Sequence, residues 1–415
     1  MIEQTLFALL ALPVVLPAFS LLALTLAALP MSRASRISAN AQAKPACSAA
    51  GDAAAAAPRI AVLVPAHNES THVLPTIACL LAQLGPRDRL LIVADNCSDD
   101  TALLARAAGA EVIERQDTCR RGKGYALSFG VDHLRADPPD VVLVVDADCV
   151  VSEDAVATIA ADCHRSGRPV QMLDLMSAPE GAELRLRVLE FAMLMKNLVR
   201  PLGSFRLGGA CHLMGTGMAL PWPLIAAAQL ATGHVAEDMK LGVELTKAGH
   251  PPRFLVDVRV SSAFVADSGV ARGQKARWEH GHLAILREEL PGLIRDAIVR
   301  HDAALATLAL DLMIPPVALY FLVVFAALAT LLVGVGLWPA LRAAAGLVTA
   351  GALALGLAIG LGWAVYGRQL ISARELLALP FYALWKIPVY VAYFVGSRSG
   401  WVRTRREREP GWKAP

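Results

Sequence analysis

Two aspartates, Asp146 and Asp148, stand two positions apart directly after five apolar residues, 141–145. A short apolar run of that kind reads as a buried strand. Both carboxylates then fall where the backbone leaves the sheet. Two hard oxygen donors suit one divalent cation, Mg²⁺ or Mn²⁺, whose other ligands are phosphate oxygens and water. A metal–diphosphate complex is the natural occupant, although Ser152-Glu153-Asp154 follows and the acids also read as a turn before a helix. A second pair, Glu237-Asp238, offers a general base. A neighbouring carboxylate and partial burial raise the pKa of one member until it can take a hydroxyl proton. At a helix start the same pair is also favoured by the helix dipole alone. Asp95 follows the apolar run 90–93 and can accept hydrogen bonds from a base or ribose. In Arg120-Arg121-Gly122-Lys123-Gly124 the glycines let backbone approach a phosphate and Lys123 supplies charge. In Gln274-Lys275-Ala276-Arg277-Trp278, Arg277 can neutralise a departing diphosphate and Trp278 presents a flat face to a sugar ring. The last two also read as an ordinary interfacial Arg/Trp pair.

Alternating strands and helices position these residues. The pattern predicts strands at 60–64, 90–93, 111–113 and 141–145, with helices at 70–84, 99–108 and 124–134. Such βα alternation implies an α/β domain with a mostly parallel sheet covered by helices. Ligands in such sheets sit beyond the carboxyl ends of the strands. The polar clusters fall there: Pro65-Ala66-His67-Asn68-Glu69, Asp95 with the residues to Asp100, and Asp146-Ala147-Asp148. No glycine-rich dinucleotide fingerprint or phosphate-binding P-loop follows any of these strands, which disfavours dinucleotide oxidoreductases and P-loop NTPases. Asp146-Ala147-Asp148-Cys149-Val150 also matches the haloacid-dehalogenase-type phosphohydrolases. In that class the strand normally opens the domain, whereas three βα units precede it here.

The 415 residues are 55% hydrophobic and 18% charged, against about 25% charged in soluble domains. A net charge of +3 is too small to argue for nucleic acid. Seven scattered cysteines without a C-x-x-C pair suggest neither a zinc ribbon nor a disulfide framework. The hydrophobic excess lies at the two ends. Residues 4–32 are uncharged, so 1–32 reads as a transmembrane helix. A missing basic n-region argues against a cleaved signal peptide. Arg33, Arg36 and Lys44 follow, which places the next segment in the cytoplasm. Residues 33–57 read as a flexible linker, 58–270 as a cytosolic catalytic domain, and 271–302 as an interfacial amphipathic helix. Two further spans fit within 303–367, in the uncharged stretches 312–341 and 343–367 with a turn near Trp338-Pro339. The apolar stretch 376–397 contains Lys386, Pro380 and Pro388. A lysine at mid-bilayer costs roughly 3 kcal/mol, so 368–415 is expected to lie in the interface or re-enter, with a basic cytosolic tail. Residues 184–200 suit either the membrane surface or a core helix.

In their order these pieces resemble the membrane-bound family-2 glycosyltransferases. Those are inverting enzymes that use nucleotide-diphosphate sugars and include cellulose and hyaluronan synthases and exopolysaccharide transferases. The ordered motifs run from Pro65 to Trp278 and are specific as a set. Ala94-Asp95-Asn96-Cys97-Ser98-Asp99-Asp100-Thr101 and Arg121-Gly122-Lys123-Gly124-Tyr125-Ala126-Leu127 are closest to the exopolysaccharide branch. The resemblance implies a GT-A domain embedded between transmembrane helices at the inner face of the plasma membrane. It implies that Pro65, Ala66, His67, Asn68, Glu69 and Asp95 hold the nucleoside, with Lys123 at the phosphates. Asp146 and Asp148 would hold the metal and diphosphate, and Asp238, beside Glu237, would be the base. Gly215, Thr216, Gln274, Arg277 and Trp278 would serve acceptor and diphosphate. The implied donor is a hexose on uridine diphosphate, with guanosine left open. The implied acceptor is a growing polysaccharide or a lipid-linked saccharide. Membrane lipids and other polysaccharide-assembly proteins are the implied partners, and nucleic acid is not. Met214-Gly215-Thr216-Gly217 departs from the Cys-Gly-Ser form of several synthases, and Ala236 stands where Thr is common. The alternatives are a phosphohydrolase using Asp146 and Asp148, or a non-catalytic scaffold of a polysaccharide export complex.

Overall fold

A computed structural model describes residues 2–30, 57–179, 181–234, 236–264 and 268–385, with 387 and 391. Side chains at 268–277, 382 and 385 fall outside that description. After a first helix, α1 (Ile2–Ala28), comes strand β1 (Ile60–Ala66). Its residues are apolar on both faces, so it can lie only at the centre of a covered sheet. A short turn leads to α2 (Val73–Leu81), then β2 (Arg89–Asp95), α3 (Thr101–Ala107), β3 (Glu111–Arg115), α4 (Lys123–Leu134) and β4 (Val141–Val144). β1 pairs in parallel with β2 and β4, and β2 with β3. The two-residue period of the strand sends alternate side chains to opposite cores. Val62 and Val64 pack with Ile77 and Leu80 on one face. Ala61 and Leu63 pack with Leu127 and Val131 on the other.

The second half adds elements that the alternation did not reveal. These are β5 (Val150–Val151), α5 (Ala155–Ser166), β6 (Val170–Ser177), α6 (Leu184–Leu194), α7 (Arg200–Gly208), β7 (Met218–Pro221), α8 (Trp222–Ala227), α9 (Glu237–Lys247) and β8 (Arg253–Ala263). The sheet order is β3-β2-β1-β4-β7-β6-β8-β5. β7 runs antiparallel to β4 and β6, and β8 parallel to β6. The expected α/β class with a mostly parallel sheet holds. Gln171 of β6 breaks the apolar pattern because it is a buried brace. Its amide donates to the carbonyls of Thr216 (2.8 Å) and Met172 (2.9 Å) and accepts from Met214 N–H (2.9 Å). It thereby fixes the loop before β7.

A long helix, α10 (Ser268–Arg300), runs through the boundary expected at 270/271. After it come α11 (Ala303–Leu312), α12 (Val317–Leu337) and α13 (Arg342–Gly362), which continues as a π-helical turn, Trp363–Gly367. Among the described residues three helical segments are long and apolar enough to cross a membrane: Ile2–Ala28, Val317–Leu337 and Pro339–Gly367. Two short helices, α14 (Ala373–Leu376) and α15 (Leu379–Trp385), follow. The linker, apart from Ala57, lies outside the described residues, as do Lys386 and the end of the 376–397 stretch.

Residues 184–200 settle as a packed layer between the sheet and the apolar helices. Phe191, Met195 and Val199 share a core with Leu173 and Ile371, against Trp363 and Tyr366. α7 then docks on α1. Arg206 donates to the carbonyls of Ala27 (3.0 Å), Ala28 (2.8 Å) and Leu29 (2.9 Å), so a cation closes the negative end of that helix. Gly203 sits where a Cβ would come 2.0 Å from the Leu24 carbonyl oxygen. Gly203→Val is expected to destabilise the protein by about 1–3 kcal/mol through this backbone clash, read as a lowered Tm in detergent. Gly346→Ala, in open space, should leave Tm unchanged or slightly raised.

Candidate active site

The tips of β1 and β2 are laced together. His67 Nδ1 lies 2.6 Å from the Asp95 carbonyl oxygen. Asn68 Oδ1 accepts from Ser98 N–H at 2.7 Å, and the N–H groups of Glu69 and Ser70 both donate to Thr101 Oγ1 at 2.8 Å. Asn68 and Asn96 have φ of 54° and 52°, a left-handed conformation that asparagine tolerates better than most residues. Pro65 and Ala66 are the last residues of β1. Asp95 ends β2 and faces Arg115, the end of β3, across the parallel register. Arg115 Nη1 donates to Asp95 Oδ1 at 2.6 Å, with the two residues 8% and 7% exposed. The same guanidinium reaches Arg120 O at 2.8 Å and lies 5.6 Å from the Tyr125 ring centre. Sequence reasoning missed Arg115 because it ended the third strand at 113. Two more residues of strand place Arg115 beside Asp95.

The second cluster gathers at the tip of β4. Thr76 Oγ1 donates to Ala147 O at 2.8 Å, and Cys149 N–H to Asp146 O at 3.1 Å, so the Asp-Ala-Asp loop is held from both sides. Lys123 opens α4 after Gly122, whose φ of 136° needs glycine. Its ammonium pairs with Asp146 Oδ1 and donates to Gly215 O at 2.9 Å. Asp146 N–H donates to Thr216 Oγ1 at 3.1 Å. Gly215, with φ of 85°, sits where a Cβ would meet Asp238 Oδ2 at 3.1 Å and Lys123 Nζ at 3.2 Å. Lys123, Asp146, Gly215, Thr216 and Asp238 therefore converge, with Asp148 beside them in the loop and Glu237 preceding Asp238 at the start of α9.

The electrostatics follow from one cation among four acids. Burial alone would lower Lys123, but Asp146, Glu237 and Asp238 outweigh it and hold the ammonium above the usual lysine range. Burial lifts the Asp146 carboxyl; the Lys123 charge opposes that shift and Asp148 adds to it. Burial and the adjacent Asp238 push Glu237 up, against Lys123. Asp238 Oδ1 accepts from Met239 N–H at 2.8 Å. Among the described residues no group of three or more His, Cys, Asp or Glu forms a metal cage. Asp146 and Asp148 nevertheless suit a hard cation that takes its remaining ligands from phosphate and water.

Two further residues escaped the sequence reading. Asn197 Nδ2 donates to Asp174 Oδ2 at 3.0 Å, while Asp174 Oδ1 and Asn197 Oδ1 are buried without a hydrogen-bond partner. Burial pushes Asp174 up to about 7, with Lys196 and Lys123 opposing and Asp146 and Asp148 adding. An acid flanked by Met172, Leu173, Leu175 and Met176 was the available signal. Trp278 lines a cleft with Lys196, Arg200 and Glu279. The side chains of Gln274 and Arg277 lie outside the described residues.

A family model described as "Glycosyltransferase like family 2" matches residues 58–281. The probable glycosyltransferase YdaM of Bacillus subtilis (strain 168) is 32% identical over 107 residues, 24% of this chain and 25% of its own length. The chain thus matches about a quarter of that curated relative. Mannosyltransferase PcManGT from Pyrobaculum calidifontis, solved with GDP-Man and Mn²⁺, superposes with a TM-score of 0.52 at 16% identity. That match covers 82% of this chain and 88% of the other. At that identity the likeness is one of fold, and it bears out the expected GT-A architecture.

The raised Asp174 carboxyl has a signed consequence. From about pH 4 to about pH 7 the unfolded chain has released this proton while the folded chain keeps it, so stability falls with rising pH. Asp174→Asn removes that slope. The Tm of the variant relative to the parent should be higher at pH 8 than at pH 5; equal offsets at both would refute the assignment.

Proposed function

The chain belongs to the glycosyltransferase-like family 2, and from that premise we propose that it transfers a hexose from a nucleotide-diphosphate sugar to an acceptor hydroxyl. The acceptor is a growing polysaccharide or a lipid-linked saccharide at the inner face of the plasma membrane, in the assembly of a cell-surface polysaccharide. The observation that carries the reading is the convergence of Lys123, Asp146 and Asp238 around Gly215, which has no side chain to obstruct them. Asp238 removes the acceptor hydroxyl proton. The freed oxygen bonds to the anomeric carbon as the bond from that carbon to the diphosphate oxygen breaks. The electron pair leaves with the nucleoside diphosphate, and in-line displacement inverts the anomeric configuration. Lys123 faces the developing negative charge of the leaving group, a fixed cation in a partly desolvated site. A divalent cation on Asp146 and Asp148 would supply further charge neutralisation at the diphosphate. The GDP-Man and Mn²⁺ bound by the archaeal neighbour support a nucleotide-sugar and metal reading here. Uridine diphosphate remains the first carrier to test.

Asp95, held by Arg115, and the laced residues His67, Asn68 and Glu69 form the nucleoside side. Trp278, with Gln274 and Arg277 on the same helix, serves the acceptor and the departing diphosphate. Three apolar helices support a membrane location, and the basic residues after the first support a cytoplasmic catalytic domain. Family membership disfavours the phosphohydrolase and scaffold readings.

The test is nucleoside-diphosphate release by the full chain in nanodiscs, with UDP- and GDP-sugars, Mg²⁺ or Mn²⁺, and lipid extract as acceptor. Asp238→Asn should lower release by about 10²–10⁴-fold, the contribution of a positioned base, and leave donor binding intact. Burial pushes Glu237 up, toward the neutral form that an amide mimics, so Glu237→Gln should cost only a few-fold. Undiminished turnover in Asp238→Asn would overturn the assignment of the base. Release of orthophosphate from phosphorylated compounds, with no nucleoside diphosphate, would restore the phosphohydrolase.

A further inference from the structure

The resemblance implies an acceptor role for Thr216, but its side chain is turned inward. Thr216 is 5% exposed. Its hydroxyl oxygen accepts from Asp146 N–H at 3.1 Å, and its single proton goes to Cys149 Sγ at 3.6 Å. Cys149 is buried as well, and its thiol donates in turn to Asp148 Oδ1 at 3.7 Å. A thiol is a weak donor and a weak acceptor, and its bonds are long. The direction of the chain is nonetheless defined. It starts at a backbone N–H, passes through one hydroxyl and one thiol, and ends on a carboxylate, where a donor counts for more than on a neutral oxygen. The chain touches both aspartates of the Asp-Ala-Asp loop, Asp146 through its backbone and Asp148 through its side chain.

The root of this chain is rigid. The fully buried Gln171 amide donates to the carbonyls of Thr216 at 2.8 Å and Gly217 at 3.2 Å. Gly217 has a φ of 63°, and a Cβ there would come 2.5 Å from Met172 Cγ and 2.7 Å from Val260 Cγ1. The backbone around Thr216 is thus pressed onto β6 and β8. A β-branched side chain on a fixed backbone has few rotamers left, so the hydroxyl is set before any ligand arrives. The two carboxylates are then steered by different groups. Lys123 pairs with Asp146, and the Cys149 thiol serves Asp148. Partners of this kind behind a ligating carboxylate fix its orientation and tune metal affinity.

We propose that Thr216 and Cys149 are positioning residues of the cation site: their hydrogen-bonded chain aims the Asp148 carboxylate at the divalent ion that it shares with Asp146. The inference rests on the metal in the transferase reading and deepens it. The threonine that the resemblance gives to the acceptor serves the donor's cation instead. No covalent bond changes and no proton is transferred along the chain.

The probe is Mn²⁺ itself, titrated into the full chain in phosphatidylcholine nanodiscs with UDP or GDP but no sugar. The free ion is read by electron paramagnetic resonance, so no turnover is involved. Asp148→Asn should abolish the bound ion. Thr216→Val keeps the volume without the hydroxyl and should weaken Mn²⁺ binding by about tenfold or more, the scale for loss of a partner behind a metal ligand. Thr216→Ser should restore binding to within about threefold of the parent. Cys149→Ala should weaken it several-fold. The double variant Thr216→Val with Cys149→Ala should bind no more weakly than Thr216→Val alone, because both break one chain. Nucleotide binding in EDTA should be the same in all variants; its loss alongside that of Mn²⁺ would mark a general collapse of the site and overturn the assignment. Parental Mn²⁺ affinity in Thr216→Val, as a threonine facing the acceptor would give, also overturns it, as do fully additive losses in the double variant. If the parent itself holds no Mn²⁺, the metal reading falls and this inference with it, which is a different result from a parent that binds and a Thr216→Val that binds equally.

Discussion

The site depends on a charge imbalance: the Lys123 ammonium faces Asp146, with Asp148, Glu237 and Asp238 close by. Four carboxyl groups cannot all ionise beside a single cation in a partly buried space without strong mutual repulsion. The protein relieves this in two ways. Burial and the field of Asp238 push Glu237 up, toward its neutral form, and Lys123 is clamped between Asp146 and the carbonyl of Gly215. Both need close backbone approach, which explains why the chain turns at Gly122 and Gly215 with positive φ. What remains is a surplus of negative charge of the kind that a divalent cation would complement.

The same economy of charge joins the catalytic domain to its apolar helices. The buried Arg200–Asp311 pair links α7 to α11, and His212 Nε2 lies 3.3 Å from the Leu308 carbonyl on the same helix. Breaking one partner of such a pair is costly because the other is left charged and dry. These contacts lie directly behind the cleft that holds Lys196 and Trp278. The position of Trp278 and Lys196 relative to the sheet is therefore set by packing against the apolar helices as much as by the sheet.

Much of this was legible in the sequence where the physics is local. β1, β2 and β4 are apolar on both faces, so period and burial agree, and Asp146 and Asp148 are announced by the strand before them. Glu237 and Asp238 are adjacent, and their coupling could be foreseen, though not which one would rise. Legibility fails where a residue answers to a distant partner. Gln171 and Asp174 interrupt β6 because one braces the loop at 214–216 and the other faces Asn197, and neither fact is encoded nearby. Arg115 belongs to Asp95 only through strand register. Residues 184–200 allowed two readings because a helix wedged between a sheet and long apolar helices is apolar on more than one side.

The Arg206 contacts carry a consequence for how the chain is made. The carbonyls that end α1 have no intrahelical donors of their own, and the guanidinium that satisfies them lies 179 residues further along. During synthesis the end of the first helix would lack this cation until β6, α6 and α7 had emerged and folded. Tyr366, which also donates to the Ala28 carbonyl, comes later still. The order of events is thus written into the contacts: completion of the domain is also the step that closes the end of the helix that precedes it.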